Sequence, residues 1–442
     1  MQRFVWFYSQ MQNKCMKRNT WLTCITCFLF SSVLLFTGCM KDKVTRTYQI
    51  STPIYETLSQ FRAQIKSEPA RTILSPGKLT RYGHFLFLSD MNTGIHVIDN
   101  TNPAAPKNIS FINIPGNIDL AISGNTLYAD AYGDLVTLDI SNPVNVVARD
   151  FKSFVFPDRS TYTVYYPNYL AGISVNPDSI SLIVGYETHD TTVDGDQGQV
   201  FYGGGCANCG IAFTTVPNRA SVGTKTGGTN GSMARFTIIN DYLYTVGWSN
   251  MTSIDISEPF NPNVKGTLDV AFHVETIYPL KNNLFVGTNN GMYMYDVQNS
   301  PSSPALVGEF AHIRGCDPVI SDGNYAYVTL NDSSACLGFY DQLQIIDIHD
   351  MANSLLVKSY QLTHPMGLSK DGNTLFLCDG KDGLKVYNAT DPVNMEMVRQ
   401  FKDGNMYDVI AADGLATVMA SDGIYQYDYS DLNNIHLISK LK

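Results

Sequence analysis

Three histidines stand at comparable places in the chain, and imidazoles so placed can bind a metal ion or act as a general base. His273, His312 and His364 occur in the segments FHVE, AHIRG and THPMG, each shortly before a strand-like run of residues. If the fold brings those places to one face, the imidazoles share a site. Histidines that form only structural hydrogen bonds are the second interpretation, which the scattered pattern favours.

Three further polar residues, Arg235, Arg314 and Asp317, precede strand-like runs in the same way. We expect segments of this kind to line a pocket, and these side chains to be ligand-binding candidates. Trp248, in VGWSN, adds an aromatic ring that can stack on a carbohydrate, as can the tyrosines of YTVYYPNY. Most other aromatic residues recur at equivalent positions of the strand-like runs, and we interpret them as core residues.

The densest acidic loop, HDTTVDGDQG, contains Asp190, Asp194 and Asp196. Carboxylate oxygens at such spacing can hold Ca²⁺, although a solvated polar loop is the favoured interpretation. We expect no cofactor, and this loop offers a candidate site for Ca²⁺.

The cysteines predict disulfides rather than redox or zinc chemistry. Cys206 and Cys209 form a CxxC in a glycine-rich run, without the βαβ context of a redox motif or a nearby second pair for zinc. We expect a local disulfide there, and a second one between Cys316 and Cys336. Cys378, within a strand-like run, is interpreted as a small buried residue.

No catalytic motif was found. The chain has no GxSxG elbow, HExxH helix or Walker loop, and it lacks both the EF-hand loop and the aspartate box typical of sialidases. The sequence therefore indicates a binding protein more than an enzyme. Two alternatives stay open. One is a hydrolase or lyase that acts on polysaccharide at the axial opening of the ring-shaped fold derived below. The other is a structural subunit of a surface assembly.

A repeat decides which elements position these residues. Seven copies of a strand–turn–strand pattern end at acidic or amide residues spaced by 40, 116, 41, 51, 41 and 40 residues: Asp99, Asp139, Asp255, Asp296, Asp347, Asn388 and Asp428. A period near 40 with four short strands per unit predicts an all-β propeller, with seven blades favoured over eight. The aligned Asp residues are interpreted as turn formers.

The domain organisation follows from that repeat. The propeller is expected over residues 77–442, with a long glycine-rich insertion at about 152–231 that contains a strand near Ile180–Tyr186. Residues 39–76 precede it as a tether, in which Leu58, Phe61 and Ile65 predict a short helix over Tyr55–Ser67, packed on the ring or its rim.

Residues 1–38 are interpreted as a secretory signal that ends at a lipidation site. Trp21–Phe36 is an apolar run behind Lys17 and Arg18, and Phe36-Thr37-Gly38-Cys39 resembles a lipobox. Acylation of Cys39 would anchor the chain to a membrane. The formal net charge of the chain is −10, and without residues 1–38 it is −14, from 26 basic and 40 acidic residues. Because such a chain repels phosphate groups, we expect no nucleic acid partner.

The segments DLVTLDISNP and SIDISEPFNP resemble the LVIVD-repeat family. HVIDNTNPAAPKNISFINIPGNIDLAISGNTLYAD and GCDPVISDGNYAYVTL look like the lipoprotein branch of that family found in Bacteroidetes. The resemblance implies a propeller-like fold on the cell surface or the periplasmic face of the outer membrane, with no established activity. We therefore expect an envelope-anchored scaffold that binds or adheres to a protein or glycan.

Overall fold

The computed structural model describes residues 45–156, 181–194, 229–271, 273–312, 318–331 and 340–442. The chain divides into two compact units, the larger of which comprises Pro53–Gly185 and Phe213–Lys442. Thr45–Thr57 and Ser181–Asp194 form a separate two-stranded sheet, in which the hydroxyl oxygens of Thr47 and Thr192 lie 3.4 Å apart. Among the residues described, no helix combines the length and hydrophobicity needed to span a bilayer.

The larger unit is a seven-bladed β-propeller, which confirms the predicted fold class and blade number. Each blade is an antiparallel sheet whose four core strands follow chain order from the inner to the outer edge. The strands of blades 1 to 4 are Pro76–Tyr82, Phe85–Asp90, Gly94–Asp99 and Lys107–Asn113; Leu120–Ser123, Thr126–Ala131, Asp134–Asp139 and Val147–Lys152; Phe236–Ile239, Tyr242–Val246, Asn250–Asp255 and Asn263–Asp269; and Val274–Leu280, Asn283–Thr288, Gly291–Asp296 and Ala305–Ala311. Those of blades 5 to 7 are Val319–Ser321, Tyr325–Leu330, Gln342–Asp347 and Leu355–Gln361; Leu368–Asp371, Thr374–Cys378, Leu384–Asn388 and Glu396–Phe401; and Met406–Ala412, Leu415–Ala420, Gly423–Asp428 and His436–Leu441.

The core lies between neighbouring blades, which is why a single blade cannot stand alone. Tyr128 and Leu135 of blade 2 share a buried cluster with Phe236 and Leu243 of blade 3. Because both faces of a blade are covered, most residues of the second and third strands are buried, whichever face they lie on. The ring closes in the same way, since Leu86 of blade 1 lies in a cluster with residues of blade 7.

The aligned acidic residues form turns, as predicted. In every blade the carboxylate or amide oxygen at the end of the third strand accepts a hydrogen bond from the backbone N–H two residues on, at 2.8–3.3 Å. Hydrogen bonds from Ser141 and Arg149 lower the pKa of Asp139 to about 2. The turn therefore keeps its charged acceptor over the whole physiological pH range.

Each outer strand contains a one-residue bulge at the same register. The residue skipped in the pairing with the third strand is, from blade 1 to blade 7, Ile109, Arg149, Lys265, Val307, Val357, Val398 and Ile438. Bulges bend and twist a strand locally, and they interrupt the row of groups to which another strand can pair. Only blade 1 has a further strand on its outer edge among the described residues: Lys66–Glu68 pairs with Phe111–Asn113, beyond the bulge.

The helix α1, Leu58–Ala63, precedes that added strand. A capping box between Thr57 and Gln60 starts the helix, so it is shorter than the predicted Tyr55–Ser67. Leu58 and Phe61 pack into the core cluster of blades 1 and 2. Arg62 anchors the helix by a 2.5 Å ion pair with Asp134, whose pKa is raised because burial outweighs the neighbouring guanidinium.

The centre of the ring is occupied by the segment Gly231–Ala234, all of whose residues are buried. Just before it, Thr229–Asn230 pairs with the inner strand of blade 1. The Ser232 N–H donates to Asp408 of blade 7 (2.9 Å), and its hydroxyl accepts from the Leu368 N–H of blade 6 (2.6 Å). The Ala234 carbonyl accepts from the Ile277 N–H of blade 4 (2.8 Å). This segment thus links several inner strands.

Candidate functional site

The loops between second and third strands and the connections between blades lie at one end of the strands. We call the surface that they form the connection face. Apart from the buried segment Gly231–Ala234, its described residues are 91–93, 114–119, 132–133, 153–156, 235, 247–249, 270–271, 273, 289–290, 312, 318, 331, 340–341, 362–367, 379–383, 402–405 and 421–422. Most of the sequence-predicted ligand-binding candidates that the structure describes lie on it.

Three of those candidates meet at the backbone of Val274, where blade 4 begins. The Val274 N–H donates to the Trp248 carbonyl at 2.9 Å, and the Val274 carbonyl accepts from the Arg235 guanidinium at 3.2 Å. His273 is the preceding residue. Trp248 comes from the second-to-third-strand loop of blade 3 and Arg235 from the residue before its inner strand, so the fold unites what the sequence separates.

The rings of Trp248 and His273 pack against each other, and that of Trp248 is exposed. Their ring centroids lie 3.7 Å apart at an interplanar angle of 51°, and 43% of Trp248 is exposed. His273 has a φ of +60°, the left-handed region that non-glycine residues rarely adopt. Its carbonyl accepts from the Asn289 N–H at 3.1 Å, which holds the strained residue in place.

A row of backbone hydrogen bonds extends this site toward the next blade. Asn289 contacts His273, and the carbonyl of the following Asn290 accepts from the His312 N–H at 3.2 Å. Trp248, His273, the two asparagines and His312 therefore follow one another on the connection face. We call this set of five residues the Trp248 row.

His364 lies in a separate polar network at blade 6. Its N–H donates to Asp379 Oδ1 at 2.7 Å, and its ring Nδ1 is 3.9 Å from Asp341 Oδ1. Asp379 is buried and also forms an ion pair with Lys385. Blades 1 and 2 repeat this arrangement. In blade 1, Asp90 accepts from the N–H of Ser75, the residue before the inner strand, at 2.6 Å. In blade 2, Asp130 accepts in the same way from the N–H of Asp119 at 2.8 Å.

These carboxylates fix the connections rather than offer an open chemical site. Burial would raise the pKa of Asp90, but hydrogen bonds from His96 and from the backbone of Ser75 and Leu74 lower it. In the described part of the chain, no group of three or more His, Cys, Asp or Glu side chains is arranged to hold a metal ion. Asp190 is exposed in the strand Ser181–Asp194.

Several predicted residues fall outside the described ranges. They are Cys39, the tyrosines of YTVYYPNY, Asp196, Cys206, Cys209, Arg314, Cys316, Asp317 and Cys336, and the side chain of Asp194 belongs with them. The lipidation site, the two disulfides and part of the acidic loop therefore stay predictions.

One polar group near the axis was missed by sequence reasoning. Lys78 and Asp119, both buried, form a 2.7 Å ion pair between blades 1 and 2, and Asp119 also accepts from the Arg235 N–H at 2.6 Å. Nearby, burial raises the pKa of Asp408 to about 7, and the positive charge of Lys78 opposes that rise. No sequence motif marks these residues, because they come from four separate parts of the chain.

The comparisons with known proteins match parts of this architecture. The LVIVD repeat model matches residues 117–148 and 230–270, which lie largely in blades 2 and 3, so the chain carries LVIVD repeats. No curated protein matches.

Among solved structures, the chain is similar to the periplasmic gluconolactonase PpgL of Pseudomonas aeruginosa, at 12% identity over 83% of this chain and 96% of that one, with a TM-score of 0.48. It is similar to BamB from Moraxella catarrhalis at 7% identity, over 85% and 97% of the chains, with a TM-score of 0.43. PorZ, a surface component of the type-IX secretion system of Porphyromonas gingivalis, matches at 10% identity over 85% of this chain but 39% of its own, with a TM-score of 0.47.

Proposed function

We propose that this propeller is a non-catalytic recognition scaffold that binds a protein or glycan at the Trp248 row. The observation that carries the proposal is the convergence of Arg235, Trp248 and His273 at Val274, with the Trp248 ring exposed. The blades beneath share buried clusters, and binding residues placed on loops over a packed frame are the usual arrangement for recognition.

The buried axis argues against the alternative of a hydrolase or lyase working from an axial opening. Ser232 and Asp408, two polar residues at the axis, are both buried, and the Ser232 N–H donates to the Asp408 carboxylate. A substrate would have to displace the Gly231–Ala234 segment to reach them. A carboxylate also has to lie in a concave, accessible site to act as a general base.

We further propose that the scaffold is held at the outer membrane, as in the Bacteroidetes lipoprotein branch, through lipid on Cys39. The support is the sequence alone: an apolar run behind two basic residues, followed by Thr37-Gly38-Cys39. Mass spectrometry of the protein from cells should find an acylated N-terminal Cys39. Replacing Cys39 by Ala should move the protein from the membrane to the soluble fraction, and an unmodified N-terminus in the wild type contradicts the anchor.

A sedimentation assay with envelope fragments tests the binding role. The protein should sediment with fragments of the source bacterium, and Trp248→Ala should reduce that retention. Phe260→Ala is the matched control, because Phe260 is 41% exposed in the same blade but lies in the turn at the opposite end of the strands. Equal retention of all three proteins refutes a binding site at Trp248.

A further inference from the structure

We propose that Trp248 is the stacking platform for a sugar ring of a neutral glycan, an inference that rests on the proposed function and names its ligand class. An indole face gives a sugar the apolar surface that its C–H groups require, while neighbouring polar groups bind its hydroxyls. The features that lead to this assignment are the fixed orientation of the ring, the polar residues that continue the Trp248 row and the charge of the chain.

The ring is held in place before any ligand arrives. The Trp248 carbonyl is bound to the Val274 N–H at 2.9 Å, and the Gly247 N–H donates to the Asn250 carbonyl at 2.9 Å, so the backbone on both sides is fixed. His273 packs against the ring at a centroid distance of 3.7 Å. A preorganised aromatic side chain loses little conformational entropy on binding.

The other members of the Trp248 row are all polar. In the described loops and connections of blades 3 and 4 on the connection face, no other large apolar side chain is exposed. The Trp248 row instead continues through Asn289 and Asn290 to His312. A protein interface would show a contiguous apolar centre, whereas one ring beside amide and imidazole groups fits a sugar.

The charge of the chain selects neutral glycans over acidic ones. The formal net charge is −10, and a polyanionic polysaccharide would be repelled over distances comparable with the Debye length. Arg235 does not reverse this, because its guanidinium is partly buried and donates to the Val274 carbonyl.

The chain offers a reporter for the test. Its three tryptophans are Trp6, Trp21 and Trp248, so Trp6→Phe with Trp21→Phe leaves Trp248 as the single emitter in the full-length protein. The probes are laminarin, dextran and yeast mannan as neutral glycans and polygalacturonate as the acidic one. At least one neutral glycan should shift the emission of Trp248 to shorter wavelength, and polygalacturonate should not.

Affinity electrophoresis in gels containing the same glycans measures the variants. Trp248→Ala should weaken binding about tenfold, the size expected for loss of an aromatic stacking contact. Phe260→Ala should bind like the wild type. A neutral glycan that binds equally well to Trp248→Ala overturns the proposal, as does the absence of any emission shift with all three neutral glycans.

His273 acts through Trp248 as a positioning residue, and Asn is its suitable replacement because Asn tolerates left-handed backbone. His273→Asn should change the emission spectrum of Trp248 without glycan and weaken glycan binding, while the urea midpoint stays close to that of the wild type. An unchanged spectrum and affinity would show that the imidazole does not position the ring.

Treatment of the envelope fragments separates failure of this inference from failure of the proposed function. If retention requires Trp248, survives periodate and is lost after protease treatment, the ligand is a protein. That outcome refutes the glycan inference and supports the scaffold function. Retention that requires Trp248 and is lost after periodate supports both. Retention that never depends on Trp248 removes both.

Discussion

The side-chain amides of Asn100 and Gln426 donate to each other's oxygens, at 2.8 Å in both directions, and this pair joins the first blade to the last. Gln426 also donates to the Pro103 carbonyl at 2.9 Å. All four strands of blade 7 come from the C-terminal part of the chain. Ring closure therefore depends on side chains and on the cluster around Leu86, not on a shared sheet.

Replacing Gln426 by Leu should destabilise the propeller by about 1–3 kcal/mol, because the buried amide of Asn100 then lacks its partner. The double variant Asn100→Leu/Gln426→Leu should cost less than the sum of the two single variants, since neither orphaned amide remains. Urea unfolding measures all four proteins. Strictly additive losses would show that the two amides do not cooperate.

Tyrosine hydroxyls form a second kind of contact between blades. Tyr128 donates to the Pro259 carbonyl at 2.8 Å, and Tyr244 donates to the Pro301 carbonyl at 2.9 Å, in each case in the next blade. Tyr128→Phe and Tyr244→Phe should each reduce the unfolding free energy by about 1 kcal/mol and by similar amounts. Phe285 and Phe376 occupy the same position in other repeats, so this position accepts phenylalanine. An effect in only one blade would contradict a repeated contact.

Asp408 should give the propeller a pH-dependent stability. Burial raises its folded-state pKa to about 7, whereas in the unfolded chain it has the ordinary value of 3.8. Between these values the folded state holds a proton that the unfolded state has released. The contribution of Asp408 therefore falls as pH rises through this window, by at most about 1.4 kcal/mol per pH unit, and is constant above it.

The test compares Asp408→Asn with the wild type in urea at pH 5 and pH 8. Asn keeps an acceptor for the Ser232 and Val409 N–H groups and has no charge to bury. Its stability relative to the wild type should therefore be greater at pH 8 than at pH 5. Lys78 and Asp119 face the same region and are unchanged in both proteins. If the difference in unfolding free energy between the two proteins is the same at both pH values, Asp408 stays ionised in the folded state.

The cysteines give a chemical prediction. After residue 38 the chain contains Cys39 and five others, of which Cys206 with Cys209 and Cys316 with Cys336 are predicted disulfides. Cys378 is buried within the blade 6 core. Maleimide labelling of the acylated, non-reduced protein should therefore modify nothing when folded and one thiol per chain in urea. Three or more labelled thiols would contradict at least one disulfide.

The repeat made most of the fold predictable from local sequence. The turn acceptors, from Asp99 to Asp428, were placed correctly because each bonds its own neighbour two residues on. The buried face of Leu58, Phe61 and Ile65 was also recognised from its spacing. The end of α1 was not, because it depends on pairing of Lys66–Glu68 with a strand more than forty residues away.

The candidate site was predictable only in part. Trp248 and His273 stood out by residue type, but their meeting point is the backbone of Val274, which has no chemical signature in sequence. The predicted insertion, about 152–231, ends at Gly231, and no sequence pattern predicts that Gly231–Ala234 lies at the axis. The place of that segment at the axis depends on a carboxylate in blade 7, and a side chain at Gly231 would collide with that carboxylate. Such long-range contacts exist only once the ring has closed.

The bulge common to the seven outer strands has a consequence for molecules that stand side by side. A rim made of uninterrupted strands would let one molecule continue its sheets into the next, as fibrils do. Here the fourth strand of each blade bulges after a few residues, so two of these strands from different molecules cannot pair over their full length. Copies that are packed closely together can therefore remain separate molecules.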